Sequence, residues 1–150
     1  MTATDLLLKL KNEISDNDWR MLEDADSPLI ISQWNRATLL RMRNFPPPAH
    51  SVSEDEVESL QASLGDYLNR YMADQPEGHR WIILSCLFLA FIARGPLHPA
   101  EIVHHRLISR DGSSIYCCPA REESTDSLCR FCVCKPIYAP GKPATAPCFG

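Results

Sequence analysis

The chain has 150 residues, 45% apolar and 23% charged, which suits one compact folding unit and excludes a disordered, collagen-like or fibrous chain. Its net charge of −4 is unevenly spread: residues 1–80 hold 14 acids and 8 Lys/Arg, whereas residues 81–150 hold 5 acids and 7 Lys/Arg, a surplus too small for the dense basic stripe of a nucleic-acid module. Six of the seven cysteines lie between Cys117 and Cys148, a distribution that marks a local chemical site and not a disulfide framework.

Met1 to Leu10 lack a basic n-region and a small-residue cleavage site, so no signal peptide is expected. Thr4 is the candidate N-cap of a first helix whose stripe is Leu7, Leu10 and Ile14. A short helix is predicted near Asp18 to Asp24. Ser27-Pro28 then offers a cap followed by proline at the first helical position, with Ile30, Trp34, Ala37 and Leu40 on the apolar face as far as Asn44. Pro46-Pro47-Pro48 stops that helix. Ser53 and Glu56 form a Ser-x-x-Glu capping box, and Val57, Leu60, Leu64, Leu68 and Tyr71 carry its stripe to about Ala73.

After Pro76-Glu77-Gly78, the run from His79 to Arg94 is apolar on every side, and its length favours a buried helix over a buried strand. The thirteen-residue stretch Trp81 to Ala93 is shorter than the about 20 residues a spanning helix needs, so no membrane segment is expected. Gly95 and Pro96 end the helix. Cys86, inside it, reads as a small core hydrophobe. Beyond Gly95, Val103 to Arg110, the Asp111-Gly112 turn and Ser113 to Cys118 read as a β-hairpin. The tail from Ala139 to Gly150 is rich in proline and small residues and is expected to be mobile. The fold expected is mainly α: a helical bundle around a central helix at 79–94, with a small C-terminal β-hairpin and a Cys/His metal-binding module. The divisions are a helical body at 1–95, the module at 96–138 and the tail at 139–150.

Cys129-Arg130-Phe131-Cys132 is a Cys-x-x-Cys, the spacing at which a tight turn lets two thiolates meet one ion from the same side. Cys117-Cys118-Pro119, at the end of the expected hairpin, offers a third cysteine from a neighbouring strand. The fourth ligand chosen is His98, whose backbone is restricted by Pro96 and Pro99 and which opens the cysteine-containing segment. Adjacent His104 and His105 would point to opposite faces of a strand and read as exposed polar residues.

Pro96-Leu97-His98-Pro99, Cys118-Pro119 after Tyr116, and Leu128-Cys129-Arg130-Phe131-Cys132-Val133 occur in this order in a known family. The chain resembles domain of unknown function 2115, a set of uncharacterised proteins from methanogenic archaea. The specific match covers about a quarter of the chain, as its motif segments show. The resemblance implies that His98, Cys118, Cys129 and Cys132 are the shared polar positions, and it is what selects Cys118 over Cys117. It implies a cytoplasmic archaeal setting and supplies no activity. Here the segment after the Pro-Leu-His-Pro motif reads Glu101-Ile102-Val103-His104-His105-Arg106 where the family pattern is glycine-rich, and Cys117, Cys134 and Cys148 stand outside that pattern, although Cys117 and Cys134 are near enough to Cys118 and Cys132 to compete with them as ligands.

Three thiolates and one imidazole in a tetrahedral set suit Zn²⁺ first. An iron–sulfur cluster is the alternative, though the cysteine spacing follows neither ferredoxin pattern. A zinc-dependent hydrolase with Glu101 as general base is weakened by the absence of His-x-Glu and Pro-Cys-x-x-Cys, and by a fourth protein ligand that leaves no place for water. A thioredoxin-like role for Cys129 and Cys132 lacks its βαβ context. The reading favoured is a structural zinc site in an interaction or accessory protein, with a protein partner and not nucleic acid or a membrane. Arg121, Arg130, Lys135 and Lys142 are the charges nearest the knuckle, and no signal fixes an oligomeric state.

Overall fold

The computed structural model describes residues 1–97, 105–108, 114–118, 128–132 and 135–136. The chain divides into two compact units, Met1–Ala93 and Arg94–Gly150.

The first unit is helical: α1 (Ala3–Asn12), α2 (Asp16–Glu23), α3 (Gln33–Arg43), α4 (Glu54–Tyr71) and α5 (His79–Leu87). The start of α1 corrects the expected cap. Thr2, not Thr4, is the N-cap, because Asp5 lies three residues on and completes a reciprocal box. The Asp5 N–H donates to Thr2 Oγ1 (3.1 Å), and the Thr2 N–H donates to Asp5 Oδ2 (3.0 Å). The Thr4 hydroxyl instead donates to the Pro48 carbonyl, 2.8 Å away. Leu7, Leu10 and Ile14 of the expected stripe are buried, joined by Ala3 and Leu6. Helix α2 repeats the box with Ser15 and Asp18, which starts it at Asp16, ahead of the expected position.

The expected start of α3 at Ser27-Pro28 is not where the helix begins. Ser32 caps it by accepting the Asn35 N–H at 3.1 Å, after the non-helical run 28–31 with its β-branched pair Ile30 and Ile31. The buried face is accordingly Thr38, Leu39 and Met42, while Ile30 is 42% exposed and Ala37 is exposed. The Ser27 hydroxyl instead meets a side chain of α3. It accepts from Arg36, whose guanidinium also donates to the carbonyls of Met21 (3.3 Å), Leu22 (2.8 Å) and Asp24 (2.7 Å). One arginine of α3 thus satisfies the last carbonyls of α2, groups a helix end otherwise leaves without partners. Arg43 continues the same seam with an ion pair to Glu23 and a position over the Trp19 ring.

In α4 only half of the expected box forms, the Ser53 hydroxyl accepting the Glu56 N–H (3.3 Å) without a return bond from the Glu56 side chain, and Val57, Leu60, Leu64 and Leu68 form the buried stripe. Tyr71 departs from that stripe, being 64% exposed and tilted against Tyr67 with ring centroids 4.8 Å apart. The imidazole of His79 lies 2.7 Å from the Met72 carbonyl just past the end of α4.

Helix α5 follows a 3₁₀ turn at Pro76–Gly78 and continues into a π-helical segment, Phe88–Ala93. Trp81, Leu84, Leu87, Phe88, Leu89 and Ile92 are buried, with α5 packed on α3 and α4 and the π-helical segment packed on α1. Phe88 meets Phe45 edge-to-face at 5.1 Å, under the Arg41 guanidinium. This is the buried central helix that the apolar run predicts. Among the described residues, Pro76–Ala93 is also the one helical run long and apolar enough to cross a membrane, by length and composition (18 residues, mean hydropathy 1.2). Cys86, expected in the core, is half-buried. Its neighbour Ser85 is fully buried, and among the described residues its hydroxyl has no hydrogen-bond partner.

The second unit contains β1 (His105–Ile108), β2 (Ser114–Cys118), a 3₁₀ turn (Leu128–Phe131) and β3 (Lys135–Pro136). Strands β1 and β2 pair antiparallel, with His105 opposite Cys117 and Ile108 opposite Ser114. Strand β3 adds parallel to the other edge of β2, with Lys135 opposite Cys117 and Pro136 opposite Cys118. The expected Asp111-Gly112 turn and the expected mobile tail at 139–150 lie outside the described residues.

Candidate metal centre

Two of the proposed cysteines follow from local backbone. The segment Leu128–Phe131 closes as a 3₁₀ turn, so Cys129 sits within it and Cys132, half-buried, directly follows it. A tight turn at this point is the conformation that a Cys-x-x-Cys knuckle requires. Three residues after Cys132 the chain enters β3 and pairs with the end of β2, where Cys117 and Cys118 occupy the register positions opposite Lys135 and Pro136. The β2 end that carries the third proposed ligand is therefore hydrogen-bonded to the strand leaving the knuckle.

His98, the fourth proposed ligand, lies outside the described residues, as do Cys134, Cys148, Glu101 and His104. Among the described residues, no group of three or more His, Cys, Asp or Glu stands in a position to hold a metal ion. The pairing thus relates the segments of Cys118, Cys129 and Cys132 through their backbone, and it leaves His98 untouched. His105 reads from its sequence as an exposed polar residue, and its register position opposite Cys117 is one that no local spacing announces.

In the helical unit, α1, α4 and α5 border a cleft of about 190 Å³. Leu6, Leu10, Val57, Leu84 and Leu87 line its apolar part, and Lys9, Glu13, Gln61 and Arg80 its polar part. Arg80 is held there by the Glu13 carbonyl (2.9 Å) and the Asp18 carboxylate (3.1 Å), with its guanidinium 4.3 Å from the Trp81 ring centroid. At the start of α1 the Asp5 carboxyl has a lowered pKa. The hydrogen bonds from the Thr2 hydroxyl, then from the Thr2 N–H, hold its carboxyl below the ordinary value of 3.8.

Residues 5–137 match the family model described as an uncharacterized protein conserved in archaea, DUF2115. The chain belongs to this family. It is also 30% identical, over an alignment of 161 positions, to the UPF0305 protein MJ0646 of Methanocaldococcus jannaschii, an alignment covering 91% of this chain and 98% of that protein. No solved structure matches. The match spans the helical unit as well as the cysteine motifs, so the family likeness is wider than the quarter of the chain that the motifs alone carry.

Proposed function

We propose that the C-terminal unit binds one Zn²⁺ through His98, Cys118, Cys129 and Cys132, and that the ion has a structural role in an accessory or interaction protein. The pairing of β2 with β3 is the observation that carries this reading. Cys132 is three residues from Lys135, a chain length of at most about 11 Å, and Lys135 is the register partner of Cys117, beside Cys118. Two thiolates from the knuckle and one from the adjacent strand end then need only an imidazole to complete a tetrahedral set for a borderline-soft ion.

A four-ligand protein set leaves no coordination position for water, so this reading is structural and not hydrolytic. The ion would join the hairpin at 103–118, the knuckle and β3 into the module, and its binding free energy would add to folding because the ligand set forms only in the native state. Reduced, metal-bound cysteines fit a cytoplasmic setting, and a protein is the partner class that fits the modest charge of this half.

The test is His98→Ala in the full chain, purified without oxygen, with zinc content and thermal unfolding measured together. Both are expected to fall, as a structural ligand requires. Unchanged occupancy and unchanged stability would remove His98 from the site.

A further inference from the structure

We infer that the cleft between α1, α4 and α5 is a binding site for a free α-amino acid with an apolar side chain. Two of its walls are helices that run antiparallel. The Glu13 carbonyl, just past the end of α1, accepts from Arg80 at the start of α5, and α1 also packs on Phe88–Ala93 beyond the end of α5. From Glu13 back to Leu6, and from Arg80 on to Leu87, each wall is two helical turns long, about 10 Å. Along that length the lining changes from charged to apolar. Arg80 and Glu13 stand at one end with Lys9 one turn away, Leu10 and Leu84 follow, and Leu6 and Leu87 close the other end.

The charged end is pre-arranged. Arg80 Nη2 donates to the Glu13 carbonyl and to the Asp18 carboxylate, and the guanidinium lies over the Trp81 ring, so little rotamer freedom is left for a ligand to remove. Both bonds use Nη2. Among the described residues Nη1 makes no hydrogen bond, which leaves one edge of the fork available to a carboxylate. The charges of Lys9, Arg80, Glu13 and Asp18 sum to zero, so a ligand with net charge gains little there. A zwitterion can set its carboxylate toward Arg80 and Lys9 and its ammonium toward the Glu13 carboxylate. An α-amino acid carries both groups on one carbon, which suits an end where Arg80 and Glu13 are in contact.

Volume sets the size of the ligand. The cleft's 190 Å³ is below the about 300 Å³ at which sites for drug-sized ligands begin, which excludes a nucleotide or a coenzyme. At about 30 Å³ per water it equals about six waters, room for a molecule of about nine non-hydrogen atoms such as leucine. The walls then select the side chain. An aliphatic group meets Leu10, Leu84, Leu6 and Leu87, whereas an amide or a second charge would give up its water there without a partner. The site lies wholly within Met1–Ala93 and does not depend on the zinc reading.

The experiment is an NMR titration of the full chain with L-leucine, reading backbone amide shifts. Saturable shifts confined to α1, α4 and α5 are expected, with a Kd on the order of 1 mM, as ordinary ligand efficiency gives for so small a molecule. Two truncated probes separate the head groups. 4-Methylpentanoate lacks the ammonium and isopentylamine lacks the carboxylate, and each is expected to bind at least about tenfold more weakly. Glu13→Gln keeps the hydrogen bonds of Glu13, which come from its backbone, and is expected to weaken L-leucine about tenfold while leaving 4-methylpentanoate no weaker. No saturation up to about 50 mM L-leucine, equal binding of the three compounds, or a Glu13→Gln protein that binds L-leucine unchanged overturns the inference.

Discussion

Met1–Ala93 carries apolar residues at helical spacing, serine and threonine at its helix starts, and one cysteine, whereas Arg94–Gly150 carries six cysteines, of which Cys117 and Cys118 lie on a short strand and Cys129 in a 3₁₀ turn. The helical unit has means of stability that are visible residue by residue: Leu6, Leu39, Leu60 and Phe88 are out of contact with water, and Thr2, Ser15, Ser32 and Ser53 satisfy helix ends. Strands of two to five residues offer no comparable apolar stripe. The difference teaches that the two halves of a chain this small need not be stabilised by the same physics. On the zinc proposal, a shared ion contributes to the stability of the second half.

Removing the ion should break this contrast most strongly. With a strong chelator under reducing conditions, amide protection in His105–Ile108 and Ser114–Cys118 is expected to collapse, while the far-ultraviolet helical signal of the first unit persists; Cys132→Ser should do the same. Equal loss in both units would mean that they share one source of stability. A core truncation should act in the reverse sense. Leu60→Ala, at a fully buried position of α4, is expected to cost about 3 kcal/mol in urea unfolding and to leave the metal content unchanged.

Arg36→Ala probes how helices are joined within the first unit. It removes the donor shared by three carbonyls at the end of α2, for an expected loss of about 1–3 kcal/mol in the same unfolding assay.

The smallest expected effect is an acid one. Because the Asp5 pKa is lowered in the folded state, its contribution is complete above the unfolded value and is lost as pH falls through the folded one, below 3.8. Asp5→Asn should flatten this part of the acid unfolding curve slightly, and an unchanged curve would show that the Thr2–Asp5 box adds no acid sensitivity.

How much is legible in the sequence depends on whether the deciding contact is local. Helix α4 is legible because Ser53, Glu56 and the leucine stripe lie within its own residues. The start of α3 is not, because Ser27-Pro28 and Ser32 are both acceptable local starts, and the Ser27 hydroxyl accepts from Arg36 and caps no helix. Thr4 misleads as a cap for a similar reason, since its partner Pro48 is 44 residues away. The π-helical turn at Phe88–Ala93 has no local signature in its Phe-Leu-Ala-Phe-Ile-Ala sequence, which reads as ordinary α-helix. At the candidate metal centre the Cys-x-x-Cys is legible from spacing. The pairing of Cys117 with His105 and Lys135 is not, because strand register is set by hydrogen bonds between distant segments.

Elemental analysis of protein purified without oxygen, together with its absorption spectrum, tests the central claim most directly. One zinc per chain and no visible absorption are the expected result. A brown, iron-containing sample, or a folded protein without any metal, would contradict it.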